Sequence, residues 1–447
     1  MSFITDKQTL DDLNIFGKRG KQSVYAIFNR TCSPGGAEQL EQMFRYPLSD
    51  TDAINRRSGI IRFFQALQRP FPFSSEWFDT IEQYLGNTDE RSQLTHEENT
   101  LGRKFKTLIG SDTEYQLLTK GVSSLVELIH GLRLFLLEIS AAAATTPYVT
   151  ELMAIQSILD MADWEPVYEK KLPRKFSFDE NAAFDKLFRY QRRDELKRLL
   201  YYIYTLDVYM SVAQVATARK FVFPEAIEQE KHSIHLTNVY HPQLEKPVGN
   251  TLDITPDGNV IFLTGANMAG KSTFMKALGI ALFLAHMGFP VPAEKMQFSV
   301  REGMFTTINL PDNLNMGYSH FYAEVLRVKK VAEQLGRNRS VFVIFDELFR
   351  GTNVKDAYEA TVALTAAFAS KRNCMFVIST HIMEAGDTLR PQHSNINFLF
   401  LPTRMEQQNP VYPYKLEKGI TADRHGMVII NNEGILDILE KGSTKTS

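Results

Sequence analysis

From about Thr9 to Lys220, apolar residues recur at three- and four-residue spacing with few runs of β-branched residues, the pattern of successive amphipathic helices. The stripe is clearest between Phe184 and Ala218, where Phe184, Leu187, Phe188, Leu196, Leu199, Leu200, Ile203 and Leu206 mark one face. At the helical rise this predicts a lever-like rod of roughly 50 Å. Near Phe221-Val222-Phe223-Pro224 the texture changes. Short apolar runs between turn residues predict strands at Ser233–Leu236, Leu252–Ile254, Val260–Leu263, Val341–Phe345 and Met375–Ser379, with helices at Phe321–Leu335 and Ala357–Ser370. The expected fold is an α-helical core and lever domain over residues 1–220, followed by an α/β domain with a mostly parallel sheet over residues 221–447. Lys441–Ser447 reads as a loose tail.

At 447 residues, 44% of them apolar, the chain has material for more than one core. Its 50 basic and 52 acidic side chains nearly cancel, so any grip on nucleic acid must come from a local patch or an enclosing shape. The candidate patch holds Lys170, Lys171, Arg174, Lys175, Lys186, Arg189, Arg192, Arg193, Lys197 and Arg198, with Phe176, Phe188 and Tyr190 among them. Acids from Glu165 to Glu195 dilute it, so a solvated, salt-bridged helix face competes with a phosphate-contacting one. Cys32 and Cys374 lack metal-ligand spacing, fit a reduced cytosolic protein, and read as core residues. The start shows no export signal, and the apolar runs Leu132–Ala144 and Ala277–Gly288 are too short or interrupted to span a bilayer, so a cytoplasmic protein without membrane contact is expected.

Chemistry enters with Gly265-Ala266-Asn267-Met268-Ala269-Gly270-Lys271-Ser272, which follows the apolar run Val260–Leu263 and opens onto a helical pattern. This is a phosphate-binding P-loop, implying ATP and Mg²⁺: the glycines let backbone N–H groups point at phosphates, Lys271 reaches the terminal phosphates, and the Ser272 hydroxyl ligates the metal. Val341–Phe345 is an apolar strand feeding Asp346-Glu347, where an ATPase places a Mg²⁺-holding Asp and a water-orienting Glu. A further strand runs into Thr380-His381, and a His there can sense the γ-phosphate. Gly351-Thr352-Asn353 reads as a flexible turn.

These stretches together resemble the MutS mismatch-repair ATPases. Thr264 to Met275 carries that family's Asn-Met pair within the P-loop, and Leu284-Ala285-His286-Met287-Gly288, Val291-Pro292-Ala293, Arg350-Gly351-Thr352 and Thr380-His381 follow its pattern. Phe305 to Glu324 aligns without a gap with its signature segment, including Asp312, Leu314, Gly317, Ser319, Phe321 and Glu324. In the first half, Asn29-Arg30-Thr31, Gly36-Ala37, Leu40, Tyr46-Pro47-Leu48, Ile54, Arg57 and Leu206-Asp207-Val208 through Ala213 are similar to the family's core and lever.

The resemblance implies an ABC-type ATPase that works as a homodimer through its ATPase domains on double-stranded DNA, in repair or recombination and with protein partners of that pathway. Gly265, Ala266, Asn267, Met268, Ala269, Gly270, Lys271, Ser272 and Thr273 would bind nucleotide, and Ser272 and Asp346 the metal. Glu347, His381, Lys271 and Ser319 would be catalytic, Ser319 completing the partner's site. Because the core pattern begins near residue 9, the mismatch-reading and connector domains are expected to be absent and the clamp to be absent or short. The helical dimerisation tail is not obvious after Gly434–Leu439. Two departures bear on mechanism: Tyr318 and His320 flank Ser319, and Pro247-Val248-Gly249-Asn250 stands where the family often has an aromatic that stacks on adenine. An ATP-dependent protein-binding switch or accessory subunit that never touches DNA is the alternative reading.

Overall fold

In the computed structural model, residues 3–17, 22–87, 112–170, 172, 175–308, 320–349, 351–406, 409–421, 434, 435, 438 and 439 are described. The chain divides into two units, one of Met1–Ile27, Tyr46–Ser58 and Lys220–Ser447, the other of Phe28–Arg45 and Gly59–Arg219. Two segments expected in the helical half thus cluster with the residues after 220. Helical spacing tells which face of a segment is buried but not which neighbour buries it, so a single cut along the sequence misplaces them.

Up to residue 219 the described helices are α1 (Lys7–Asp12), α2 (Val24–Phe28), α3 (Pro34–Arg45), α4 (Thr51–Leu67), α5 (Ser75–Gly86), α6 (Asp112–Ala143), α7 (Val149–Leu159), α8 (Glu165–Tyr168), α9 (Phe178–Asp185) and α10 (Arg193–Arg219). In the helical unit α10 buries Leu196, Leu199, Leu200, Ile203 and Leu206, the face its spacing marked. The expected continuous rod is interrupted. After α9 comes a π-helical turn, Lys186–Gln191, and Arg192 leaves helical geometry at φ −126°, ψ 30° before α10 restarts. The 27 residues of α10 extend about 40 Å.

Two polar knots organise this unit. Arg189 donates from Nε and one terminal nitrogen to the two Asp185 oxygens at 2.5 and 2.6 Å, and the Tyr84 hydroxyl adds a third bond at 2.7 Å. The second knot is Asp207, whose carboxylate accepts the Cys32 and Ser33 amides and the Ser33 hydroxyl at 2.6–3.0 Å. Arg30 N donates to Ser211 Oγ at 2.9 Å. The stretches beginning at Asn29 and at Leu206 therefore meet. Cys32 is exposed, contrary to its reading as a core residue, whereas Cys374 is buried.

The α/β unit carries β1 (Glu225–Ile227), β2 (Ile234–Val239), β3 (Asn250–Ile254), β4 (Val260–Gly265), β5 (Lys295–Ser299), β6 (Gly303–Thr307), β7 (Val341–Phe345), β8 (Met375–Ser379), β9 (Ile396–Leu401), β10 (Arg404–Glu406), β11 (Asn409–Val411) and β12 (Glu417–Lys418). Among the described residues, six form one sheet in the order β12-β9-β4-β8-β7-β6, parallel except at the β12–β9 edge. A second, four-stranded sheet runs β1-β5-β2-β3. Strands β4, β7 and β8 are buried at every residue, as parallel strands covered on both faces must be, which is why they read as unbroken apolar runs. Helices α11 (Lys271–His286), α12 (His320–Gly336), α13 (Val354–Ala369) and α14 (Met383–Leu389) complete the unit. Asn353 caps α13, accepting Asp356 N at 2.9 Å, so the predicted turn is also a helix start. No helix of the described residues is long and apolar enough to cross a membrane.

Candidate active site

Strand β4 sits in the middle of the large sheet and ends in the glycine loop. The loop curls through left-handed backbone at Met268 (φ +69°) and Gly270 (φ +99°), and α11 starts at the next residue, Lys271. A side chain in place of Gly265 would strike Leu401 O at 2.9 Å. The first-turn amides of α11, with the positive end of its dipole, open onto the same space, an arrangement suited to anionic oxygens. Lys271 is buried and donates to Gly265 O and Ala266 O at 2.9 and 3.2 Å. Burial pushes its ammonium below the usual lysine range, against the pull of Glu347 and Asp346.

The ends of β7 and β8 bring the acids to this loop. Asp346 Oδ2 accepts the Ser272 hydroxyl and Oδ1 the Ser379 hydroxyl, both at 2.6 Å. Burial raises the Asp346 carboxyl above the usual range, and the two hydroxyls only partly offset this. Glu347 holds φ at +53°, a conformation that costs a non-glycine residue about 1–3 kcal/mol. Its amide donates to Ser379 O at 3.0 Å, and its carboxylate lies 2.7 Å from His381 Nε2. A carboxylate can only accept, so Nε2 carries the proton.

Beside the loop is a cavity of about 480 Å³ whose lining includes Tyr240, His241, Lys246, Asn250, Tyr414 and the loop itself. Tyr414 lies over Gly270, its Cδ1 3.0 Å from where a Cβ there would sit. Asn250, buried, holds that ring's backbone in a fork: its Nδ2 donates to Tyr414 O at 2.9 Å and its Oδ1 accepts Leu416 N at 2.8 Å. Pro247–Asn250 contains no aromatic; the fold supplies Tyr240 and Tyr414 to the cavity instead. Nothing local to Tyr414 signals this, because its partner Asn250 is 164 residues away.

The structure therefore gathers the loop from Gly265 to Thr273 with Asp346, Glu347 and His381. Ser319 lies outside the described residues, as do Arg350, Asp312, Leu314 and Gly317. No cluster of three or more His, Cys, Asp or Glu side chains that could hold a metal occurs among the described residues. A cation at Asp346 would therefore rest on that carboxylate and Ser272, with water and phosphate oxygens filling the remaining positions, the arrangement Mg²⁺ favours. The close hydroxyl–carboxylate pair fits such an ion.

A helical unit joined to an α/β unit with a glycine loop at the centre of its sheet defines the class, and comparison with known proteins narrows it. The MutS domain III profile matches residues 8–213 and the MutS domain V profile residues 261–446. The chain belongs to the MutS family. It is 28% identical over 274 residues to the DNA mismatch repair protein MutS of Petrotoga mobilis, covering 60% of this chain and 33% of that protein. It is 29% identical over 230 residues to MutS protein homolog 4 of Homo sapiens, covering 49% of this chain and 24% of that protein. A DNA mismatch repair protein MutS of Fusobacterium nucleatum is 27% identical over 248 residues, 54% of this chain and 27% of that protein. The chain thus spans a third or less of the length of these relatives.

Proposed function

We propose that this chain is a Mg²⁺-dependent ATPase of the MutS type that acts in DNA repair or recombination, its α/β unit the ABC-type motor and its helical unit the lever. One observation carries the reading: the Ser272 hydroxyl and the Asp346 carboxylate meet 2.6 Å apart at the mouth of a loop whose lysine is buried among carbonyls. With ATP bound, Lys271 and the amides from Gly265 to Thr273 hold the phosphates, exchanging carbonyl contacts for phosphate oxygens. Ser272 and Asp346 would hold Mg²⁺, which would supply positive charge to offset that of the phosphates. Glu347 orients the water that attacks the γ-phosphorus as the bond to the β–γ bridging oxygen breaks, and His381, released from Glu347, donates to the γ-phosphate. Ser319 completes the site of a second copy, giving a homodimer through the ATPase domains. Stacking on Tyr414 fits the adenine side of the cavity. The decisive measurement is phosphate release by the purified chain with and without Mg²⁺: hydrolysis that survives Glu347→Ala sinks the assignment.

Double-stranded DNA is the proposed partner, gripped through phosphates. A specific observation favours the second reading, a switch acting on a protein. Three of the ten basic residues in that stretch are paired within the fold: Lys170 pairs with Glu180 at 3.0 Å, Arg189 is buried on Asp185, and Arg192 pairs with Asp163 and Glu195. Duplex binding across a salt series separates the two, since phosphate contacts weaken steeply with salt.

A further inference from the structure

The segment from Ile4 to Asp12 is bound to β6, the edge strand next to β7. Alternate amides of that edge all donate to it: Met304 N to Ile4 O at 2.9 Å, Thr306 N to Thr9 Oγ1 at 3.0 Å, and Ile308 N to Asp12 Oδ2 at 2.9 Å. Asp6, which also caps α1, forms a partly buried ion pair with Arg327 of α12, and Lys330 joins it at 2.7 Å. Burial would raise the Asp6 carboxyl, but bonds and charge from Arg327 and Lys330 outweigh it and hold the group well below the usual carboxylate range.

Arg327 does more than neutralise Asp6. One terminal nitrogen donates to Thr306 O at 2.6 Å and Nε donates to Thr307 Oγ1 at 3.1 Å, so the planar fork grips the last two residues of β6. Thr307 faces the other way along the ladder, and its carbonyl accepts the backbone N–H of Asp346 at 2.8 Å. A chain of contacts therefore runs from Asp6 through Arg327 and Thr307 to the backbone of Asp346, whose carboxylate stands at the loop mouth.

We infer that Asp6 and Arg327 are positioning residues for Asp346, fixing through Thr307 the strand end that presents the metal-binding carboxylate. The inference rests on the ATPase reading for its effect on turnover, though not for its geometry. Lysine at 327 keeps the charge but cannot fork, so Arg327→Lys separates positioning from neutralisation; Thr307→Val removes only the hydroxyl and is the mildest probe.

The test uses the full chain as wild type and as Arg327→Lys, Asp6→Asn and Thr307→Val. Amide exchange at Asp346 is compared with exchange at Phe262 and Leu263 of β4, and the Mg²⁺ concentration for half-maximal hydrolysis with the KM for ATP at saturating Mg²⁺. The expected result is exchange about tenfold faster at Asp346 and within about twofold at β4, with the Mg²⁺ requirement up about three- to tenfold and KM nearly unchanged. Unchanged exchange at Asp346, or equal acceleration in β4, overturns the inference, the second showing general loosening. If the wild type does not hydrolyse ATP, the ATPase reading falls and the exchange comparison alone decides.

Discussion

Asp185 and Asp346 are both shielded carboxylates, yet their surroundings differ in one respect. Asp185, in the helical unit, has a guanidinium on both oxygens and a phenol besides, so charge and hydrogen bonds are satisfied within the fold. Asp346, in the α/β unit, is bonded by two neutral hydroxyls, and its carboxyl is raised by burial. A buried carboxylate that the fold neutralises is an internal brace. One hydrogen-bonded by hydroxyls alone, with Lys271 offsetting only part of the burial, carries an electrostatic cost that a cation from solution relieves.

Substitutions can break this contrast. The largest effect is expected at Glu347: Glu347→Ala should lower the ATP hydrolysis rate by about a thousandfold or more while ATP still binds, read by phosphate release beside a binding titration. Asp346→Asn should cut Mg²⁺-dependent hydrolysis by about a hundredfold yet leave the nucleotide-free protein as stable or slightly more so. The sign follows because a raised folded-state carboxyl penalises the charged form above its pKa, and the amide carries no such charge. Asp185→Asn should do the reverse, costing about 3–5 kcal/mol in denaturant unfolding by stranding buried Arg189, with turnover per folded molecule little changed. If both substitutions act alike, the distinction between brace and poised site is wrong.

A smaller, graded effect belongs to His286. It is fully buried, its Nδ1 donates to Leu282 O and its Nε2 accepts Arg301 N, and burial pushes its pKa from 6.5 to about 3. The unfolded chain takes up a proton near pH 6.5 and the folded chain does not, so stability falls as pH drops from there toward 3. The expected slope is about 1 kcal/mol per pH unit between pH 6.5 and 5, measured by denaturant midpoints, and His286→Gln should flatten it.

How far the sequence could be read depended on how local each signal was. Strands β4, β7 and β8 were legible because both faces of each are covered, leaving unbroken apolar runs. The loop and Asp346-Glu347 were legible because one short stretch carries each. Strands β5 and β6 are not legible in the sequence: Lys295–Ser299 and Gly303–Thr307 mix polar and small residues that become strand only through their partners. The break at Arg192 leaves no sequence signal because Asp185 and Arg189 keep helical four-residue spacing while the backbone around them loosens into a π turn. Tyr414 and the Asp6–Arg327 pair stayed hidden because each depends on residues far apart in sequence.

The outward amides of Met304, Thr306 and Ile308 are all taken by the segment from Ile4 to Asp12. An open edge strand invites another chain to zip onto it, the route by which sheets stack into aggregates. Here those donors are spent, and at the far edge, among the described residues, β12 pairs through Glu417 and Lys418 alone. Removing the first dozen residues would therefore do more than shorten the chain: it would strip the cover from a ready-made template for intermolecular β-pairing.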